Sequence, residues 1–202
     1  DAVQAITSVT ATSNNTSLIP NPTVTYPPSA ATGSLAYTPV SNANGSAVIT
    51  VTVVDDGGTA NSGVNTTTTT FTVAVTAVND APVIDAISNP SAILEDAGSV
   101  TINLTGIGDG DAGVAQAIAV TATSNNTSLI PNPTVTYTPS AATGSLAYTP
   151  VSNANGTAVI TVTVVDDGGT ANSGVNTTTT TFTVAVTAVN DEPSFTKGAD
   201  QT

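Results

Sequence analysis

One segment of this chain is written twice. Val9 through Asp80 recurs at Val120 through Asp191, an offset of 111, and the 72 aligned positions differ at two: Pro27 against Thr138, and Ser46 against Thr157. Stretches this similar encode one fold, so whatever the repeat forms, the chain carries it in tandem. The repeat does not start where the chain starts. Ala81 to Gly110 has no counterpart ahead of Asp1, and Glu192 to Thr202 reads as the opening of a further unit. The expected organisation is a first repeat over 1–80 lacking its first strands, a complete repeat over 81–191, and a linker with the start of another over 192–202. The chain is expected to be a window on a longer array.

Inside the repeat the governing pattern has period two. Ala158, Ile160, Val162 and Val164 alternate with Thr157, Val159, Thr161 and Thr163, and Phe182, Val184 and Val186 alternate with Thr181, Thr183, Ala185 and Thr187. That spacing is a pleated strand with one face turned inward, and β-branched residues favour it. Ile118, Val120 and Ala122 make a third such run. Shorter ones lie at 100–104, 134–137 and 145–148, with a first short strand near 92–94. Gly, Asn, Pro and Asp punctuate the gaps, as turns require. No helical period competes. Seven short strands per repeat predict an all-β chain of tandem Greek-key, seven-stranded β-sandwiches of immunoglobulin-like form, arranged end to end. Ile160, Val162, Phe182 and Val184 are expected in the core of the second repeat, and Ile49, Val51, Phe71 and Val73 in that of the first.

Charge narrows the function classes. Fourteen acidic residues face a single basic one, Lys197, for a net charge of -13. Such a surface has almost nothing to set against phosphate, so nucleic acid is not an expected partner. No apolar run reaches the length of a membrane span, so no membrane insertion is expected. There is no His and no Cys, which removes most nucleophilic triads and disulfides, and no enzymatic activity is expected. Asp55–Asp56 and Asp166–Asp167 supply paired carboxylates, but neighbours on a tight loop face solvent rather than a cleft. Two other classes stay open. Tyr26, Tyr37, Tyr137 and Tyr148 could serve a carbohydrate-binding module recognising surface glycans, although such Tyr residues ordinarily cap a sandwich core. The missing first strands leave sheet edges that copies of the chain could fill, giving a self-assembling filament.

The acids gather once the strands are placed. Successive strands run up and down, so alternate loops share an end. Asp109 and Asp111, in Gly-Asp-Gly-Asp, lie in the second–third loop, and Asp166 and Asp167 open the sixth–seventh loop. Both fall at the pole where the chain arrives through Asn79 and Asp80. At the far pole lie Glu95, Asp96, Asn153, Asn155 and the departing pair Asn190 and Asp191. Carboxylates clustered without basic partners favour a cation, and only hard oxygen ligands are present, which suits Ca²⁺. Turns collect Asp, Asn and Gly for their own reasons, so turn chemistry alone is the competing explanation.

These residues resemble the bacterial cadherin-like tandem repeats of large adhesins and secreted proteins. The resemblance is carried by Ala77-Val78-Asn79-Asp80-Ala81-Pro82-Val83, by its near copy Ala188-Val189-Asn190-Asp191-Glu192-Pro193, and by Leu94-Glu95-Asp96-Ala97-Gly98. It implies an extracellular or cell-surface stalk module whose partners are neighbouring repeats. It implies that Asn79, Asp80, Asp109, Asp111 and Asp166 or Asp167 bind Ca²⁺ at the junction within this chain, while Glu95, Asn190 and Asp191 serve the next junction. The chain departs from the cadherin pattern twice. Ala77 lies near the place of the first linker Asp, and Asn42 and Asn44 replace the acidic motif of the fifth–sixth loop. One or two loosely held ions are therefore expected rather than three.

Overall fold

The structure, a computed structural model, describes residues 4–111 and 115–198. Ala112 of the second–third loop and the last four residues of the expected further unit lie outside the described residues. Two compact units are present, Asp1–Ala77 and Val78–Thr202. The first holds β1 (Ile6–Ser13), β2 (Thr23–Thr25), β3 (Ser34–Ala36), β4 (Gly45–Asp55) and β5 (Thr66–Val75). The second holds β6 (Ile93–Leu94), β7 (Val100–Leu104), β8 (Ile118–Ser124), β9 (Thr134–Tyr137), β10 (Gly144–Tyr148), β11 (Gly156–Asp166) and β12 (Thr177–Thr187).

The second unit is a two-sheet sandwich with strand orders β6-β12-β11-β8 and β7-β10-β9. Seven strands, with β6 running parallel to β12 and every other pair antiparallel, give the Greek-key connectivity of immunoglobulin-like folds. The long β11–β12 ladder sets Ile160 opposite Phe182 and Ala158 opposite Val184. Alternation then delivers Ala158, Ile160, Val162 and Val164 to the interior on one strand, and Phe182, Val184 and Val186 on the next. Leu104, Ile107, Leu146 and Tyr148 meet them from the opposite side in one buried cluster.

The first unit has the sheets β1-β4-β5 and β2-β3, and no counterpart of β6 or β7 among the described residues. One half of it reproduces the second unit closely. Leu18, Ile19, Ala47 and Ile49 are buried like Leu129, Ile130, Ala158 and Ile160. The turn chemistry at that end is also duplicated: the Val48 amide donates to Asn14 Oδ1 at 2.8 Å and the Val159 amide to Asn125 Oδ1 at 2.7 Å. The other half is open. Val51 and Val73 are only half-buried, and Phe71 is 39% exposed, against 2% for Phe182. The expectation that these three are core residues of the first repeat is thereby corrected. They face inward as their parity dictates, but the layer that covers their twins in the second unit, residues 82–108, has no equivalent among the described residues of the first.

The repeat extends further than a fixed offset reveals. Gln4-Ala5-Ile6-Thr7-Ser8-Val9 matches Gln116-Ala117-Ile118-Ala119-Val120 with one extra residue. A β-bulge absorbs it: Ile6 pairs with Asp55 and Ser8 with Val54, leaving Thr7 between them. The Thr7 hydroxyl donates to the Val54 carbonyl at 3.0 Å. In the second unit Ile118 pairs with Asp166 and Ala119 with Val165, without a bulge. Gln-Ala-Ile therefore occupies the same place at the start of β1 and of β8.

Candidate functional site

The arriving segment, the loop after β7 and the loop after β11 meet at one pole of the second unit. Asn79 is the hub. Its main chain accepts from the Val175 amide at 3.0 Å, and its Nδ2 donates to Asp166 Oδ1 at 3.0 Å and to the Val175 carbonyl at 2.6 Å. Asp166, the last residue of β11, points inward by strand parity and is 4% exposed. Its Oδ1 also accepts from the Gly168 amide at 3.0 Å, closing an Asx turn. Asp167 reaches the other way and accepts from the Ala117 amide at 2.8 Å.

The Gly-Asp-Gly-Asp loop packs on the arriving backbone. The Asp80 amide donates to Asp111 Oδ1 and Oδ2 at 3.4 and 3.3 Å, while Asp109 Oδ2 accepts from the Gln116 amide at 3.0 Å. Gly110, at φ 84°, is required twice over: the left-handed backbone suits glycine, and a Cβ there would overlap the Ala81 carbonyl. Gln116 ties the two halves together. Its Nε2 donates to Asn79 Oδ1 at 2.7 Å and to Asp111 Oδ2 at 2.5 Å. Gly168 leaves room for this bridge, since a Cβ there would run into the Asn79 and Gln116 side-chain amides.

Asn79, Asp80, Asp109, Asp111, Asp166 and Asp167 are thus brought to one end of the unit. The chemistry of this pole is entirely that of oxygen acceptors and amide donors. Two buried acceptors there have no donor, Asp166 Oδ2 and Gln116 Oε1. Among the described residues no group of three acidic side chains is spaced to hold a metal ion; the Asn79 and Gln116 amides bond to Asp166 and Asp111 instead. Gln116 is the site residue that sequence reading did not single out. The signal that finds it is the Gln-Ala-Ile match, which an offset of 111 passes over by one position.

The opposite pole is built differently. Glu95 is 4% exposed, and its Oε1 accepts from the Val189 amide at 2.8 Å. Its own amide donates to the Thr187 carbonyl at 3.1 Å, so Glu95 holds the end of β6 to the departing chain. Asn190 and Asp191 are exposed and bond locally, Asn190 Nδ2 to the Asp191 carbonyl. No hydrogen bond among the described residues joins them to Glu95. Of the four Tyr residues, Tyr148 is buried in the core of the second unit and Tyr137 packs against it.

No protein-family model matches the chain, and no curated protein matches it. Similar solved structures are those of the surface layer protein SbsC. Its domains 1–6 match over 91% of this chain and 20% of that chain, with 19% identity and a TM-score of 0.35. Its domains 4 and 5 match over 89% of this chain and 70% of that chain, with 20% identity and a TM-score of 0.32. The chain spans about a fifth of the first of these. Among the described residues no helix is long and apolar enough to cross a membrane.

Proposed function

We propose that each repeat is a non-catalytic structural unit, a spacer of a bacterial extracellular or cell-surface protein, and that Ca²⁺ closes the Asn79 pole. The spacer reading is supported by the repetition itself. Two copies differing at two of 72 positions repeat the same strand and turn pattern, which suits an element that adds length rather than a second specificity. The cation reading is carried by one observation: Asp166 is buried with a carboxylate oxygen that no donor satisfies. A buried acceptor left unmade costs about 1–3 kcal/mol, more when charged, and no basic side chain other than Lys197 exists to relieve it. Since no three carboxylates among the described residues are spaced to hold an ion by themselves, Asp111 and Asp166 would hold it together with the amide oxygens of Gln116 and Asn79, whose side chains already bond to them, with Asp80, Asp109 and Asp167 beside them. Extracellular modules of this chemistry bind at about 10⁻⁴–10⁻³ M.

Calorimetric titration of the full chain with Ca²⁺ at constant ionic strength tests the cation reading. Saturable binding in that range is expected, with a gain of about 1.4 kcal/mol in the stability of the second unit at tenfold excess over Kd. Asp109→Asn with Asp111→Asn should abolish the gain while leaving the fold intact. An equal response to Mg²⁺ or Na⁺ would reduce it to screening and contradict specific coordination. For the spacer reading, a cell-surface protein given one more copy of residues 81–191 should keep its ligand preference. A change in what it recognises would make the repeat a binding module instead.

A further inference from the structure

β12 lies between β11 and β6, and the two neighbours cover it unequally. β11 pairs with it from Thr177 to Val186, whereas β6 reaches only Val186 and Thr187. One further bond lies on the β6 side: the Thr183 amide donates to Asn89 Oδ1 at 2.7 Å. That bond shows which amides point away from β11. Strand parity puts the amides of Thr177, Thr179 and Thr181 on the same side as that of Thr183, and among the described residues nothing accepts from them. Five consecutive threonines therefore form a bare sheet edge. It is bare with the preceding segment 82–108 in place.

Sheet edges are ordinarily blocked by a charge, a proline, a bulge or a covering loop. β8, the other edge of this sheet, is capped at both ends, by Asp167 on the Ala117 amide at 2.8 Å and by Asn132 on the Ser124 amide at 2.9 Å. Thr177–Thr181 has none of these devices. No acidic residue and no proline lies on β12, and its register with β11 runs without a bulge. Thr177, Thr179 and Thr181 are exposed, while Thr178 and Thr180 are half-buried. Five identical residues also read the same in both directions. An antiparallel partner of the same sequence sets Thr opposite Thr at every position, and such cross-strand pairs are favourable. A two-fold contact requires this self-complementarity. The first unit carries the same run, Thr66–Thr70, on β5.

We propose that this threonine edge is a strand-pairing surface, and that its occupant is the same edge of a second copy of the chain, set antiparallel across a two-fold axis. Full overlap puts Thr179 opposite its own counterpart. The outward amides and carbonyls of Thr177, Thr179 and Thr181 supply the main-chain bonds. Five residues a side bury less than a standard interface, so the contact is weak and reversible. The inference stands independently of the cation reading, whose residues lie on the loops and the arriving segment.

The test measures the mass of the full chain by sedimentation equilibrium, in chelator, over rising concentration. The mass should climb from that of the monomer towards twice that value or above. Thr68→Pro with Thr179→Pro removes an outward amide from each run without taking a bond from β4 or β11, and should restore the monomer mass throughout. Thr68→Lys with Thr179→Lys should do the same by setting like charges opposite each other, and serves where proline disturbs the fold. Cross-linking reads the geometry, since the chain has no Cys of its own. Thr68→Cys with Thr179→Cys should give disulfide-linked dimers, the paired Cα atoms lying about 5.5 Å apart. Thr52 and Thr163 face these residues one strand further in. Thr52→Cys with Thr163→Cys should give none, because across the two-fold axis they stand about 14 Å apart. A monomer mass at every concentration, association untouched by both sets of substitutions, or equal cross-linking from the inner strands would overturn the proposal. The last result would mean that sheet faces meet rather than edges.

Discussion

Phe71 and Phe182 lie in the same run of residues, on equivalent strands, opposite equivalent isoleucines, yet one is 39% exposed and the other 2%. Tyr37 and Tyr148 differ likewise, at 42% and 3%. In the first unit Tyr37 and Phe71 touch each other, ring centroids 6.5 Å apart. In the second both are sealed under the layer that residues 82–108 provide. Elsewhere the two units agree down to individual asparagine turns. The lesson is that local sequence sets strand, register and turn in both units, whereas burial is decided by a segment distant in sequence. A repeat of this kind carries its strand pattern in itself, but its complete core only together with the stretch that precedes it.

The sharpest way to break this comparison is to remove the twin phenylalanines one at a time. Phe182→Ala should cost the second unit about 3–5 kcal/mol, because a filled core position becomes a cavity. Phe71→Ala should cost the first unit about 1 kcal/mol, since much of its ring is already in water. Denaturant unfolding followed by unit-specific amide resonances separates the two. Equal losses would mean that the open half is covered in solution.

The aspartates ending β11 and β4 come next. Asp166→Ala takes an acceptor from both Asn79 and Gly168 and leaves their part-buried donors unpaired, so about 1–3 kcal/mol should be lost. Asp55 accepts from the Gly57 amide in a more exposed turn, and Asp55→Ala should cost under about 1 kcal/mol. If Ca²⁺ binds as proposed, the Asp166→Ala chain should also lose its Ca²⁺-dependent gain, while the Asp55→Ala chain keeps it.

The smallest effect concerns the tyrosine pair. The Tyr148 hydroxyl is buried without a partner, so Tyr148→Phe should change stability at neutral pH by less than about 1 kcal/mol, and Tyr37→Phe by still less. Their pH dependence should differ more clearly. Burial raises the Tyr148 phenol above its ordinary 10.0. The unfolded chain therefore loses this proton first, and the second unit keeps its stability below that pH and loses it as pH rises towards the folded value. Tyr148→Phe should flatten this alkaline decline.

Most of the strand layout was legible in the sequence, because period-two alternation of Val, Ile and Phe against Thr is a local signal. The strands over 100–104, 134–137 and 157–164 lie where the pattern puts them. Loop parity likewise gathered Asn79, Asp80, Asp109, Asp111, Asp166 and Asp167 at one pole. Two features were less legible. Phe71 carries the parity of a core residue, and only the missing layer decides its exposure, which no window around it reports. Gln116 escaped because a single inserted residue, Thr7 in the bulge, puts its match with Gln4 out of phase with the main repeat. Its role as the amide between Asn79 and Asp111 depends on two loops that are remote in sequence.

The central claim is that identical strands differ in protection because residues 82–108 cover one set alone. Native-state amide exchange on the full chain tests it directly, comparing fragments 24–37 with 135–148 and resolving residues 47–53 from 158–164 by their resonances. The account predicts that 144–148 and 162–164 exchange orders of magnitude more slowly than 33–37 and 51–53, while Ala47 to Ile49 approaches the behaviour of Ala158 to Ile160. Equal protection of the twin strands across their whole length would contradict it.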